Sequence, residues 1–526
     1  MGDRPSRPFP RRAAAWLAPA LLPAASLLVS TATCSAPAVA PERSGARPPA
    51  VAGQFYPAEP AKLAAAVRAF LAGAVPARGA RPVALVLPHA GYLYSGQIAA
   101  DGWRQARGQS YDLVVLLGTH HTVADFGGAS VYRGTGFRTP LGVAAVDTAA
   151  ARALAGAGRV FDSDPRPHER EHSIEVQVPF AQVVLPGVPI LPVIVGTEDP
   201  LALARVAQGL ARVLAGRHPL IVASSDLSHY PDYAGSLAAD RAVLGAIARG
   251  DVGEFRAAEA AALRAGHPGL ETCACGEGAI MVAMQLAQTL GAERGIVLSR
   301  ANSGDGPLGD PARVVGYGAV MFCSGRGADD ASALDPPPAP APGATLDPGD
   351  QRALLALARA TLEQWFASGT VPLPRGFSPA ALRPQGAFVT LYEHGELRGC
   401  IGHMTEDRPL AQNVAAMALS AALEDPRFPP LEPAELAGVE IEISALTPLE
   451  RIAGPEAIVV GRDGVQIRKD GRVAVFLPQV ATEQGWDRDA LLANLCLKAG
   501  LPRDAWRSGA EFWSFQSVHF RESQFR

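Results

Sequence analysis

Short runs of Val, Ile and Leu, each stopped by a polar residue, a proline or a glycine, recur through the first three fifths of the chain. They fall at residues 83–87, 113–117, 189–196, 220–223, 295–299 and 314–322. Three of them, 83–87, 113–117 and 220–223, are apolar at every position, as parallel strands buried on both faces are. Between the runs, segments 61–71, 201–214, 239–248 and 278–290 carry apolar residues at helical spacing. Strand and helix in alternation predict a three-layer α/β domain.

Three of the runs lead into histidines. The first passes through Pro88 to His89, the second through Gly118-Thr119 to His120 and His121, and a third through Ser224-Ser225-Asp226 towards His229. In open α/β sheets the crevice beyond the carboxyl ends of the strands is where ligands bind. Imidazoles gathered there from distant parts of the chain point to a metal or acid–base site. Two histidines, one anionic ligand and open positions form the usual platform for non-haem Fe(II). His89 and His120 are the expected histidines; His121 is expected to be structural, because adjacent side chains diverge on an extended segment. The candidate for the third, anionic ligand is Cys275 in Thr272-Cys273-Ala274-Cys275-Gly276-Glu277, just ahead of the 278–290 helix, whose dipole favours a thiolate. Glu277 is the rival, since a carboxylate suits Fe(II) better than a thiolate.

At 526 residues the chain is long for one domain, and its net charge of -4 predicts no nucleic-acid partner. Residues 324–350 hold Asp335-Pro336-Pro337-Pro338-Ala339-Pro340-Ala341-Pro342-Gly343, a semi-rigid linker between a first module at 48–323 and a second at 351–526. Residues 1–40 combine Arg11-Arg12, an apolar middle and a small-residue exit near Cys34 and Ala38-Val39-Ala40. These are the parts of an export signal, so an exported protein is expected, touching a membrane only through an N-terminal lipid anchor if at all. The six cysteines are sparse and scattered, which is not a disulfide framework.

The second module reads as α+β: a helix over 351–366, a hairpin of 387–392 with 397–402, a helix over 409–423, and a strand at 439–443 with one wet face. A hairpin turning at Asp470-Gly471 and a helix over 488–498 follow. Cys400 lies between Gly399 and Gly402 with Arg398 and His403 nearby, a setting for a buried thiol or a reactive one.

Pro88-His89-Ala90-Gly91-Tyr92, Gly118-Thr119-His120-His121, Glu171-His172-Ser173-Ile174-Glu175 and Ser224-Ser225-Asp226-Leu227-Ser228-His229 together resemble the Memo family. Gly53-Gln54-Phe55-Tyr56-Pro57 and Cys275-Gly276 fit its first and last motifs. The resemblance implies a fold like the class III extradiol dioxygenases and places the family's metal ligands on His89, His120 and Cys275. A cysteine stands where those dioxygenases have a carboxylate, so their activity does not follow from the fold. Among the remaining motif residues, His229 suits proton transfer and Asp226 the orienting of a ligand histidine. His172 and Glu175, one helical turn apart, would face one pocket.

Leu397-Arg398-Gly399-Cys400-Ile401-Gly402, Asp425-Pro426-Arg427-Phe428 and Phe476-Leu477-Pro478-Gln479 resemble the AMMECR-type domain. Both families are associated with a radical SAM protein, which implies such a protein as a partner; the chain itself has no Cys-x3-Cys-x2-Cys. The leading expectation is a non-haem iron oxidoreductase, with copper or zinc as alternative metals. The competing ones are a protein that binds a small molecule or peptide, and a metal-sequestering protein.

Overall fold

A computed structural model describes residues 45–124, 126–324, 332–334 and 345–525. The expected export segment and most of the proline-rich linker lie outside the described residues. No described helix is long and apolar enough to cross a membrane.

Among the described residues of the first module ten strands follow in chain order. They are β1 (Pro82–Leu87), β2 (Leu113–Gly118), β3 (Ala129–Val131), β4 (Gly136–Thr139), β5 (Gly142–Ala145), β6 (Phe161–Asp162), β7 (Ile190–Val195), β8 (Pro219–Ser224), β9 (Gly295–Asn302) and β10 (Gly316–Cys323). β4 and β5 make a separate hairpin; the other eight form one sheet in the order β6-β3-β7-β2-β8-β1-β10-β9. Its centre, β7-β2-β8-β1, is parallel, and every residue of those four strands is buried. β10 and β9 add antiparallel at one side and β3 at the other, so the sheet is mixed rather than wholly parallel. Helices Tyr92–Ala106 and Glu277–Thr289 both pack on β1. The glycines that disguise the first of these helices in the sequence are packing sites: a Cβ on Gly102 would lie 2.2 Å from Leu87 Cδ2.

The second module has two smaller cores. β11 (Ala387–Glu393), β12 (Glu396–His403) and β13 (Val439–Leu446) join a late strand beneath helices Pro348–Ser368 and Leu410–Leu423. The hairpin turn between β11 and β12 carries positive φ at both His394 (52°) and Gly395 (84°), the primed turn that suits strand twist. The other core lies under helix Arg488–Lys498 and a sheet of β14 (Glu450–Ile452), β15 (Gly464–Lys469), β16 (Arg472–Phe476) and β17 (Glu511–Phe515). β18 (Ser517–Arg521) closes the first sheet of this module against β13.

The two modules touch. Leu93, in the first turn of helix Tyr92–Ala106, packs on the second module's core, and Leu373 packs on the first module's. Asp101, fully buried on the same helix, takes Arg375 Nη1 at 3.0 Å and Nη2 at 2.8 Å. Gln412 Nε2 reaches Asp305 Oδ1 at 3.3 Å.

Candidate metal centre

Because β2, β8 and β1 are adjacent and parallel, their carboxyl ends open on one crevice. His89 follows β1, His120 and His121 follow β2, and Ser225 and Asp226 follow β8. Helix Glu277–Thr289 lies against β1 and β8, so its amino end brings Cys275 to the same place. Gly276 permits that approach: a Cβ there would stand 2.6 Å from the Ser224 carbonyl oxygen. Gly118 does the same for β2, where a Cβ would stand 2.6 Å from both Ile174 Cγ1 and Ser173 Oγ.

His89, His121 and Cys275 each offer a donor atom within 4.8 Å of the other two. Cys275 Sγ lies 3.1 Å from His89 Nε2, and the rings of His89 and His121 meet edge to face at 5.2 Å. His120 lies outside the group: its Nδ1 is 3.2 Å from the Val123 carbonyl oxygen and its ring 5.5 Å from Phe126. The divergence of neighbouring side chains, used in the sequence reading to set His121 aside, holds; the residue whose ring points to His89 and Cys275 is His121, which stays partly exposed at the mouth of the crevice. Glu171 selects it, accepting His121 N–H at 2.6 Å and facing His121 Nδ1 at 2.9 Å.

Glu171 also accepts the N–H groups of His172 (2.9 Å) and Ser173 (2.8 Å). Burial raises its pKa, but the hydrogen bonds and charges of His121 and His172 outweigh that and hold the carboxyl well below the usual range. A carboxylate behind a ligand imidazole fixes the ring and strengthens it as a donor. His172 stacks on His121 with centroids 4.5 Å apart and lies 4.6 Å from Phe55. Burial lowers the His172 pKa to about 4, so this ring is neutral at pH 7. His121, Glu171 and His172 form a second donor group that shares His121 with the first.

His89 is 1% exposed, and burial followed by the charges of His172 and His121 holds its pKa well below the ordinary value. The neutral ring is the form that binds metal. Its Nδ1 is 3.3 Å from Ser224 Oγ. Asp226 acts on the His89 backbone rather than on a ring: its Oδ1 accepts the N–H of His89 at 2.7 Å and of Ala90 at 3.1 Å. Burial raises the Asp226 pKa against the opposing pull of His229 and those two N–H groups. Burial and the nearby Asp226 push the Cys275 thiol well up. Two imidazoles, that of His89 held neutral by burial, and a thiol that lacks a counter-charge fit a borderline or soft cation, which would favour the thiolate.

His229 stands beside the group and outside it. Its Nδ1 is 2.9 Å from the Leu227 carbonyl oxygen, so Nδ1–H donates and Nε2 is left for other chemistry. The next residue, Tyr230, holds a left-handed φ of 73° beneath the Arg313 guanidinium at 3.6 Å, a local strain that fixes the end of this loop. Glu175 is not brought to the crevice. It binds Arg47 at 2.5 Å, Tyr56 Oη at 2.6 Å and the N–H groups of Ala50 and Val51, fastening the segment that carries Phe55. Glu277 faces Arg256 at 3.5 Å and belongs to neither donor group. In the second module Cys400 accepts from Thr390 Oγ1 at 3.2 Å, and its neighbour is Arg427, which donates to the Cys400 carbonyl at 3.0 Å. Arg398 turns instead to Glu435 at 2.8 Å.

Glu171, Ser224, Gln177 and Phe55 were not singled out from the sequence. Glu171, Ser224 and Phe55 stood inside the quoted motifs, but no spacing distinguished them from their neighbours; Gln177 stood in no motif.

A His/His/Cys crevice at the ends of parallel strands, with a second α+β domain docked beside it, defines a two-domain protein built around a candidate metal site. The chain belongs to the Memo-like protein family, whose model matches residues 47–321, and an AMMECR1 model matches residues 355–520. A MEMO1 family protein of Nitrosopumilus maritimus is 32% identical over 282 residues, covering 52% of this chain and 99% of that protein. A protein of Methanosarcina acetivorans is 39% identical over 182 residues, covering 33% of this chain and 92% of its own length. The crystal structure of an uncharacterized protein from Pyrococcus horikoshii, 36% identical, covers 34% of this chain and 93% of its own, with a TM-score of 0.32.

Proposed function

We propose that the first module is a non-haem Fe(II) oxidoreductase of extradiol-dioxygenase-like layering, with His89, His121 and Cys275 as ligands. The observation that carries this reading is the meeting of two imidazoles and one thiol within 4.8 Å at the ends of parallel strands. Three protein ligands leave coordination positions open, as redox and hydrolytic sites require and closed structural sites do not. Iron bound there supplies one-electron redox chemistry. The protein residues do the rest. Glu171 and Ser224 hold the two imidazoles from behind, Phe55 and His172 pack together on one side of the crevice, and His229 offers Nε2 for proton transfer to or from a small-molecule substrate.

A second reading is favoured by one feature, the overlap of the two donor groups at His121. With His172 and Glu171 beside the three ligands, the crevice can surround an ion more completely, which suits sequestration of copper or zinc.

The test is metal content per chain after anaerobic purification, for the unaltered protein and for His121→Ala. Near-stoichiometric iron, lost in the variant, supports the oxidoreductase. Copper or zinc with no O2-dependent turnover supports sequestration. No metal after reconstitution under reducing conditions overturns both.

A further inference from the structure

We propose that Trp103, Gln177 and Ser224 form a polarity relay that locks His89 as the Nδ1–H tautomer and thereby keeps Nε2 bare beside Cys275. The inference rests on the three-ligand site for its purpose, but not for its logic, which follows from hydrogen bonds alone.

The indole of Trp103 can only donate, and it donates to Gln177 Oε1 at 2.9 Å. A backbone carbonyl can only accept, and Pro88 O accepts from Gln177 Nε2 at 2.8 Å. The Gln177 amide is therefore oriented at both ends. Its second N–H points to Ser224 Oγ at 2.9 Å, so the hydroxyl oxygen accepts there. The single hydroxyl proton of Ser224 is committed to the Ser173 carbonyl oxygen at 2.6 Å. What remains on Ser224 Oγ towards His89 Nδ1, 3.3 Å away, is a lone pair. A bare Nδ1 would oppose that lone pair with its own; an Nδ1–H satisfies it. The proton of the neutral ring is thus on Nδ1, and Nε2 turns its lone pair to Cys275 Sγ at 3.1 Å, where it accepts from the thiol in the metal-free protein.

Every member is sealed from water: Trp103, Gln177, Ser224 and Ser173 are each 1% exposed or less, so no solvent molecule can reverse the sequence of donors. The relay begins on the helix that also carries Asp101, two residues earlier, where the second module docks. Gln177 and Ser224 are positioning residues here.

The experiment uses the full chain, metal-free and labelled with 15N-histidine, and reads the tautomer of His89 by its ring nitrogen shifts; Co(II) titration then gives affinity and the thiolate-to-cobalt absorption. The expected result is Nδ1–H at His89 in the unaltered protein. In Ser224→Ala and Gln177→Leu the Nε2–H form should appear and Co(II) affinity fall by roughly 10–100-fold. An Nε2–H ring in the unaltered protein overturns the relay, as do variants that keep both the tautomer and the affinity. A locked Nδ1–H ring that both variants release, with no Co(II) bound by any form, leaves the relay standing and removes the three-ligand site instead. If Gln177→Leu does not fold, Ser224→Ala, which deletes one oxygen, decides.

Discussion

Glu171 and His121 meet twice, side chain to side chain at 2.9 Å and carboxylate to backbone N–H at 2.6 Å, so that the ring and its peptide are held by one buried carboxylate. Glu171→Gln keeps the volume and removes the charge. Metal affinity should fall by about 10–100-fold while the fold persists, because the four hydrogen bonds to Glu171 need acceptors that an amide only partly supplies. Calorimetric metal titration checks it; an unchanged affinity would remove Glu171 from the site.

The two neighbouring histidines should separate cleanly on substitution. His121→Ala should lose bound metal, and His120→Ala should keep it within about threefold, because the His120 ring lies towards Val123 and Phe126. Metal analysis of the two purified variants is sufficient. The opposite outcome would return the ligand to His120.

Gly276→Ala tests the approach of Cys275. The added methyl would meet Ser224 O at 2.6 Å and Ser225 Cβ at 2.8 Å, so the turn before helix Glu277–Thr289 must shift. The expected result is a loss of the thiolate-to-metal absorption in the cobalt form, with a destabilisation of roughly 1–3 kcal/mol as for other overpacked sites.

His168 gives a pH dependence apart from the candidate ligands. Burial lowers its pKa to about 3, and its Nε2 faces the Ser130 carbonyl oxygen at 3.1 Å. Folded, the ring stays neutral; unfolded, it takes a proton below about pH 6.5. The unfolded state thus binds the extra proton, and stability falls as pH drops from about 6.5 towards 3, by roughly 1.4 kcal/mol per pH unit from this group. Urea unfolding of His168→Gln across that window should show a slope smaller by about one proton; an unchanged slope would assign the acid sensitivity elsewhere.

Much of this was legible in the sequence. The all-apolar runs marked the central parallel strands, because a strand covered on both faces has no polar position to spare. The direction of β9 and β10 was not legible: these antiparallel strands are also largely buried, so composition alone does not give direction. Helix Tyr92–Ala106 was missed because its glycines look like breakers, while in three dimensions Gly96 and Gly102 make room for Phe70 and Leu87. The places of His89 after a strand and of Cys275 before a helix, which bring the two together, were legible. The choice between His120 and His121 was not, since it depends on Glu171, fifty residues away. Glu175 looked like a pocket residue by helical spacing, yet its partners Arg47 and Tyr56 come from a segment no local pattern links to it.

The contact of Asp101 with Arg375 should matter more than an exposed pair would. Arg375→Ala leaves a fully buried carboxylate with, among the described residues, Ser299 Oγ, the Val75 N–H and Gln97 Nε2, and roughly 3 kcal/mol of stability should be lost. Differential scanning calorimetry should then show the second module melting ahead of the first; a single unchanged transition would mean that the ion pair does not hold the modules together.

That docking is also unimolecular. Two modules on one chain meet at an effective concentration in the millimolar range, set by tether length rather than by how much protein a cell makes. Leu93, Leu373, Arg375 and Gln412 therefore need not supply the translational and rotational entropy that two separate chains would lose on meeting. Fusion fixes the stoichiometry at one to one, and it makes the pairing independent of dilution: a contact too weak to survive between free partners persists here for as long as the chain is uncut.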